Sequence, residues 1–191
     1  NITCLSNQNI ANLHKKYKNI RSLITGDAKK MPFENNQFDI CYSSATIEHV
    51  GSKKEQILFL KESLRVAKKY VFITTPNRFF PIDFHTKLPL IHWLPKKIHR
   101  KILNFFNYKF YAKEENLNLL DEEEINHLLD HVNCSSFKIK NPINDCVEGL
   151  LRFARNDSKH PVIARSLRRS NLYGSPRLLC SLAVTLQNIF V

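Results

Sequence analysis

Hydrophobic positions along the chain switch between a period of two and a period near 3.6, and the switches predict the order of elements. Residues 2–5 form a short apolar run that ends in polar residues. In residues 9–17, Ile10, Leu13 and Tyr17 recur at spacings of three and four, one face of a helix. Two β-branched and apolar runs follow, at residues 20–25 before Gly26-Asp27 and at residues 38–43 after a loop holding Pro32, and both predict strands. Ser52-Lys53-Lys54-Glu55 has the form of a capping box and opens a helix whose Ile57, Leu58, Leu60 and Leu64 are expected to form a buried stripe. Residues 70–75 predict a strongly apolar strand that Pro76 terminates. Strands alternating with helices through short connections predict an α/β architecture with a parallel sheet, because parallel strands need a crossover.

Beyond Pro76 the pattern changes. Residues 77–95 are rich in proline and aromatics, and residues 96–106 predict a basic amphipathic helix. A further helix starts at Asp121: this residue caps, Glu122, Glu123 and Glu124 sit at its positive end, and Ile125, Leu128, Leu129 and Val132 form its buried face. Residues 136–140 predict a strand, residues 147–154 a helix, and residues 185–191 a last strand. No internal repeat divides the chain, so its 191 residues are read as one domain.

Composition narrows the chemistry. The four glycines, Gly26, Gly51, Gly149 and Gly174, lie far apart, so no glycine-rich phosphate or dinucleotide loop can be built from them. Five cysteines without a Cys-x-x-Cys pair indicate neither a zinc ribbon nor a fully paired disulfide framework, and a reducing, cytoplasmic setting is the expectation. The weakly polar stretch at residues 178–191 is shorter than the roughly 20 residues a spanning helix needs. With Asn1 at its start and Met31 as its only methionine, the chain is expected to continue upstream. His127 and His131 stand at i, i+4, a spacing that can hold zinc, but without HExxH or an evident third ligand they read as a surface pair, and no metal is assigned. The net charge of +12 belongs mainly to the middle and C-terminal parts. It admits anionic membranes, phosphorylated substrates or nucleic acid, though no ribonucleoprotein or helix-turn-helix pattern supports the last.

The run Thr25-Gly26-Asp27-Ala28-Lys29-Lys30-Met31-Pro32-Phe33, then Gln37-Phe38-Asp39-Ile40 and Ser43-Ser44-Ala45-Thr46-Ile47-Glu48-His49-Val50, is the most specific feature. It resembles the class I S-adenosylmethionine-dependent methyltransferases of the type 11 group, which includes quinone-biosynthesis enzymes. The similarity continues through Leu64-Arg65-Val66 and Thr74-Thr75-Pro76-Asn77-Arg78, and covers roughly residues 1–80. The resemblance implies a Rossmann-like, doubly wound, mostly parallel sheet, N-terminally truncated, with a helical insertion after the family's fifth strand. Residues 1–76 would then form the cofactor side, residues 77–120 the substrate-covering insertion, and residues 121–191 the closing helix and strands.

The same resemblance implies S-adenosylmethionine as cofactor. Asp27, at the carboxyl rim where open α/β sheets bind ligands, would accept from the adenine amine, and the Ala28 amide would donate to a ring nitrogen. A plain Gly-Asp turn is the alternative for that dipeptide. Ser43 and Ser44 would line the methionine end, with Glu48 and His49 on the following turn facing the transfer site; a helix cap and a solvated first turn are the alternative. His85 is a second candidate base, or else a structural histidine in a proline-aromatic segment. Two departures stand out. The family's first strand and glycine-rich loop are not represented, which would leave two central sheet edges unpaired and cofactor binding poor. At the position of the ribose-binding acid this chain has Ser6, with Asn7 beside it.

Between residues 79 and 106 six aromatic residues, among them Trp93, are interleaved with Lys96, Lys97, Arg100 and Lys101, a composition suited to a phosphorylated, lipid-linked or glycan acceptor, or to an anionic membrane. Packing of the aromatics on the core is the alternative. The activity implied is methyl transfer to a small-molecule, lipid-linked or glycan acceptor. A noncatalytic, methyltransferase-like protein binding an anionic partner is the other reading.

Overall fold

The computed structural model describes residues 2–8, 20–132, 134, 136–140, 150–154 and 181–184. Seven strands form one sheet: β1 (Ile2–Ser6), β2 (Ile20–Thr25), β3 (Phe38–Ser44), β4 (Ala67–Thr74), β5 (Ser136–Lys140), β6 (Leu150–Ala154) and β7 (Ser181–Val184), in the order β2-β1-β7-β3-β4-β6-β5. β1 and β2 pair in parallel, as do β3 and β4, whereas β7 is antiparallel to both its neighbours and β6 is antiparallel to β4 and β5. β1 through β5 therefore run in one direction and β6 and β7 in the other, the mostly parallel sheet that the resemblance implies. The helix expected at residues 9–17 lies outside the described residues.

Three expectations about the strands need correction or restatement. The centre of the sheet is not left with two unpaired edges: β7 lies between β1 and β3, with Val184 opposite both Ile2 and Ile40. Two adjacent edges with unmet backbone donors and acceptors are a template for any strand of the chain, and Ser181–Val184 fills it. Residues 150–154, expected as helix, are β6. A five-residue apolar run does not by its own periodicity separate helix from strand, and pairing on both edges decides for strand. The last strand lies at Ser181–Val184, and residues 185–191 are outside the described residues.

Helix α1 (Lys53–Val66) is the crossover from β3 to β4 and opens with the expected capping box, Ser52 N–H donating to Glu55 at 2.8 Å. Of the predicted stripe, Leu60 is buried and Ile57 and Leu64 pack partly buried against the core, and Leu58 alone turns outward. Phe59, Leu60 and Val66 are buried against Cys41, Val71 and Ile73, whereas Leu58 is 49% exposed. Arg65, near its end, ties the preceding loop down. Its guanidinium donates to both Glu62 oxygens at 2.7 Å and to the carbonyls of Met31 and Phe33 at 3.0 and 2.7 Å. That loop carries the chain from β2 to β3, so the bidentate pair holds both strand ends in place.

Residues 77–120 leave the sheet after β4 and return to where they left: Asn77 and Leu120 form a parallel bridge, and Arg78 N–H donates to Leu120 O at 3.0 Å. The excursion contains a short 3-10 turn (Ile91–Trp93) and helix α2 (Lys96–Phe105), which buries His99 and Leu103. Helix α3 (Glu122–Asp130) follows, capped by Asp121, and packs Ile125, Leu128 and Leu129 into the same core as Phe59.

Candidate active site

The carboxyl ends of β1, β2 and β3 converge on one side of the sheet. Gly26 N–H donates to Ser6 O at 2.8 Å, which sets the turn after β2 beside the end of β1. Around that point lies an open cavity of about 180 Å³ lined by Leu5, Ser6, Asn7, Gly26–Lys29, Thr46, His49–Gly51, Glu55 and Glu115. Ser6, Asp27, Ala28 and His49 are thus brought to one cavity. Asp27 is at the carboxyl rim with its side chain 58% exposed, one oxygen accepting from Lys29 N–H at 2.9 Å. Lys29 reaches across to Glu55 at 3.0 Å and bridges the cavity mouth. Hydrogen bonding to Glu55 raises its pKa, against a smaller opposing effect of burial.

Ser43 and Ser44 do not line this cavity. Ser43 is buried within the sheet, and Ser44 Oγ accepts from Thr74 Oγ1 at 2.9 Å, a bond between neighbouring strands. After them the chain turns sharply at Ala45, in the left-handed region at φ 49°, a conformation that costs a non-glycine residue on the order of 1 kcal/mol. The turn starts a 3-10 helix (Ile47–His49) that aims Glu48 inward and His49 toward the cavity. Buried amides hold it: Gln56 Nε2 donates to Ile47 O and Asn118 O at 3.1 Å each, and Asn118 N–H donates to Glu48 O at 2.7 Å. Gly51, at φ 114°, closes the turn, where a Cβ would run into the Glu55 carboxylate.

His49 and His85, 36 residues apart in the chain, meet edge to face with Nε2 to Nε2 at 3.1 Å. His49 Nδ1 lies 2.6 Å from Asn116 O, and His85 Nδ1 lies 3.0 Å from Asp83 Oδ1. Thr86 Oγ1 donates to the other Asp83 oxygen at 2.6 Å. Burial alone would raise the Asp83 pKa, but the bonds from His85 and Thr86 outweigh it and hold the carboxyl well below the usual range. Burial also lowers the pKa of His49. Glu48 is fully buried, accepts from Thr75 Oγ1 at 2.9 Å, and has its second oxygen 3.9 Å from His49 Nε2. Sequence reasoning set Glu48 beside His49 on this turn, and it left Asp83 undecided because two residues of separation in an irregular segment settle nothing. His127 and His131 stack on each other at the surface, away from this group.

The family model for the methyltransferase domain matches residues 3–73, the stretch that supplies all of the cavity lining except Glu115. Over those residues the chain is similar to the methyltransferase domain family. Solved structures of methyltransferases share its fold. Apo SibL, an S-adenosylmethionine-dependent methyltransferase, superposes with TM-score 0.53 at 11% identity, over 80% or more of this chain (81%) and 43% of its own. A Methanosarcina mazei S-adenosylmethionine-dependent methyltransferase gives 0.46 at 16%, covering 80% of this chain and 78% of that one. The magnesium protoporphyrin IX methyltransferase of Synechocystis, solved with S-adenosylhomocysteine, gives 0.44 at 12%, covering 76% and 56%. No curated protein matches the sequence. The excursion of residues 77–120 adds Glu115 to the cavity lining and sets His85 and Asn116 against His49.

Elsewhere in the excursion His92 and His99 are buried with ring centroids 6.4 Å apart. Burial pushes the His99 pKa down to about 4; Asp83 opposes the shift, while His92, Arg78 and Arg100 add to it. The unfolded chain, with an ordinary histidine near 6.5, therefore binds a proton that the folded chain does not. Stability is expected to be full above that value and to fall as pH drops toward 4, by roughly 2 kcal/mol at pH 5. Urea midpoints at pH 7 and pH 5 measure the difference, which should shrink in His99→Gln.

Proposed function

We propose that the cavity at Ser6, Asp27 and Ala28 takes the nucleoside of S-adenosylmethionine, and that the protein methylates a lipid-linked acceptor held beneath residues 77–120. The observation that supports the first half is the placement of the Asp27 carboxylate and the Ala28 backbone at the carboxyl rim of a parallel pair of strands, facing one cavity with His49. When bound, the cofactor supplies a sulfonium methyl group with a neutral thioether as leaving group. The chain has only to hold the acceptor in line with it and to receive any proton the acceptor loses.

The acceptor class follows from the surface of the excursion. Among the described residues, large exposed hydrophobic side chains concentrate between residues 79 and 110, including Phe79, Phe84, Leu90, Trp93, Ile98 and Phe105, the last 85% exposed. Lys87, Lys97, Lys101 and Lys109 are set among them. Apolar side chains mixed with cations suit an amphiphile with an anionic headgroup, and peripheral contact with an anionic membrane would present it. The test is transfer of radiolabelled methyl from S-adenosylmethionine into a membrane extract. Label in the organic-soluble fraction supports a lipid-linked acceptor, label in water-soluble products points to a free small molecule or glycan, and label in neither overturns the proposal.

One observation favours a second reading. β7 occupies the central slot in the antiparallel sense, where the family's first strand would run parallel. A protein so built would bind an anionic partner without transferring methyl, and binding of the extract's lipids with no labelled product identifies it.

A further inference from the structure

We propose that Glu48, His49 and His85 form a divalent transition-metal site where the turn after β3 meets the excursion of residues 77–120, next to the cavity that His49 lines. Their ligating atoms all lie within 4.8 Å of one another. The carbonyl of Asn116 can only accept, so the proton of His49 must be on Nδ1, and the ionised Asp83 carboxylate likewise takes the Nδ1 proton of His85. With both protons committed, the two Nε2 atoms face each other at 3.1 Å as lone pairs. Two such lone pairs repel unless a cation lies between them.

The surroundings favour a metal ion over a proton. Two nitrogens 3.1 Å apart, each about 2.1 Å from a common ion, subtend an angle of about 95°, within reach of zinc-type coordination. Glu48, on the same turn as His49, supplies a carboxyl oxygen on the third side. Both histidines have the outer partners that metal-bound imidazoles use to fix tautomer and ring orientation, a carboxylate for one and a backbone carbonyl for the other. Two histidines and one carboxylate leave a coordination position open, as in sites where the metal acts on a bound oxygen. A hydroxyl acceptor bound there would lose its proton at lower pH, because the ion stabilises the oxyanion.

This inference does not depend on cofactor binding, so its test uses no methyl donor. Metal-stripped full-length chain is titrated with Co²⁺, whose visible absorption reports four- or five-coordinate nitrogen and oxygen ligands. One equivalent should bind with a visible band that Zn²⁺ displaces. His85→Gln and His49→Gln should each weaken binding more than about 100-fold, and Asp83→Asn, which alters only an outer partner, about 10- to 100-fold. His131→Ala should leave the band unchanged. Circular dichroism establishes that each variant is folded, and Glu48→Gln supplies a further variant if one is not. Absence of the band, or a band lost in His131→Ala and kept in folded His85→Gln, overturns the proposal.

Discussion

Phe59→Ala is expected to lower the free energy of unfolding by about 3–5 kcal/mol. The ring is fully buried at the middle of α1, in one core cluster with residues of the sheet and of α3, so its removal leaves a cavity in that core. Against a total of roughly 5–15 kcal/mol for a domain, that is a large fraction. Urea denaturation should show a lower midpoint with an unchanged slope. Leu58→Ala, one residue earlier and half exposed, is the paired control and should change stability by no more than about 0.5 kcal/mol. The consequence reaches the site through Gln56, one turn before Phe59 on the same helix. Its amide holds the carbonyls of Ile47 and Asn118 and so the turn that presents Glu48 and His49.

Asp27→Ala is expected to weaken binding of S-adenosylhomocysteine by about 10- to 100-fold, the loss of one hydrogen bond to a charged acceptor worth about 1.5–3 kcal/mol. The carboxylate is at the rim, so its removal leaves no buried group unsatisfied and should leave the unfolding midpoint within error of the parent. Calorimetric titration at matched protein concentration measures the first effect and urea denaturation the second. A large loss of affinity without a loss of stability separates a ligand contact from a turn-forming aspartate. Binding should be weak even in the parent. The cavity of about 180 Å³ is smaller than the roughly 300–1,000 Å³ of complete ligand sites.

The elements that sequence could reveal are those with local causes. Ser52 and Asp121 announce their helices because a capping box satisfies backbone donors within three residues. Ile125, Leu128 and Leu129 have the helical period and are buried. In α1 the same period is ambiguous, because Ile57, Leu58, Phe59 and Leu60 are all apolar and only the neighbouring sheet decides that Phe59 faces inward and Leu58 outward. β6 and the central placement of β7 are decided by pairing across long stretches of chain, for which no local signal exists. At the site, Asp27 and His49 were legible through the family motif. The meeting of His49 with His85, and the roles of Asp83 and Asn116 behind them, arise only from the return of residues 77–120 to the sheet.

The most direct test of the nucleoside site is photo-crosslinking with an azido-adenine analogue of S-adenosylmethionine, followed by mass mapping of the adducts. Adducts on residues 26–29 or on Ser6 and Asn7, suppressed by excess S-adenosylhomocysteine, are the predicted result. Adducts confined to β5 and β6 at the opposite edge of the sheet, or labelling that S-adenosylhomocysteine does not suppress, would contradict it.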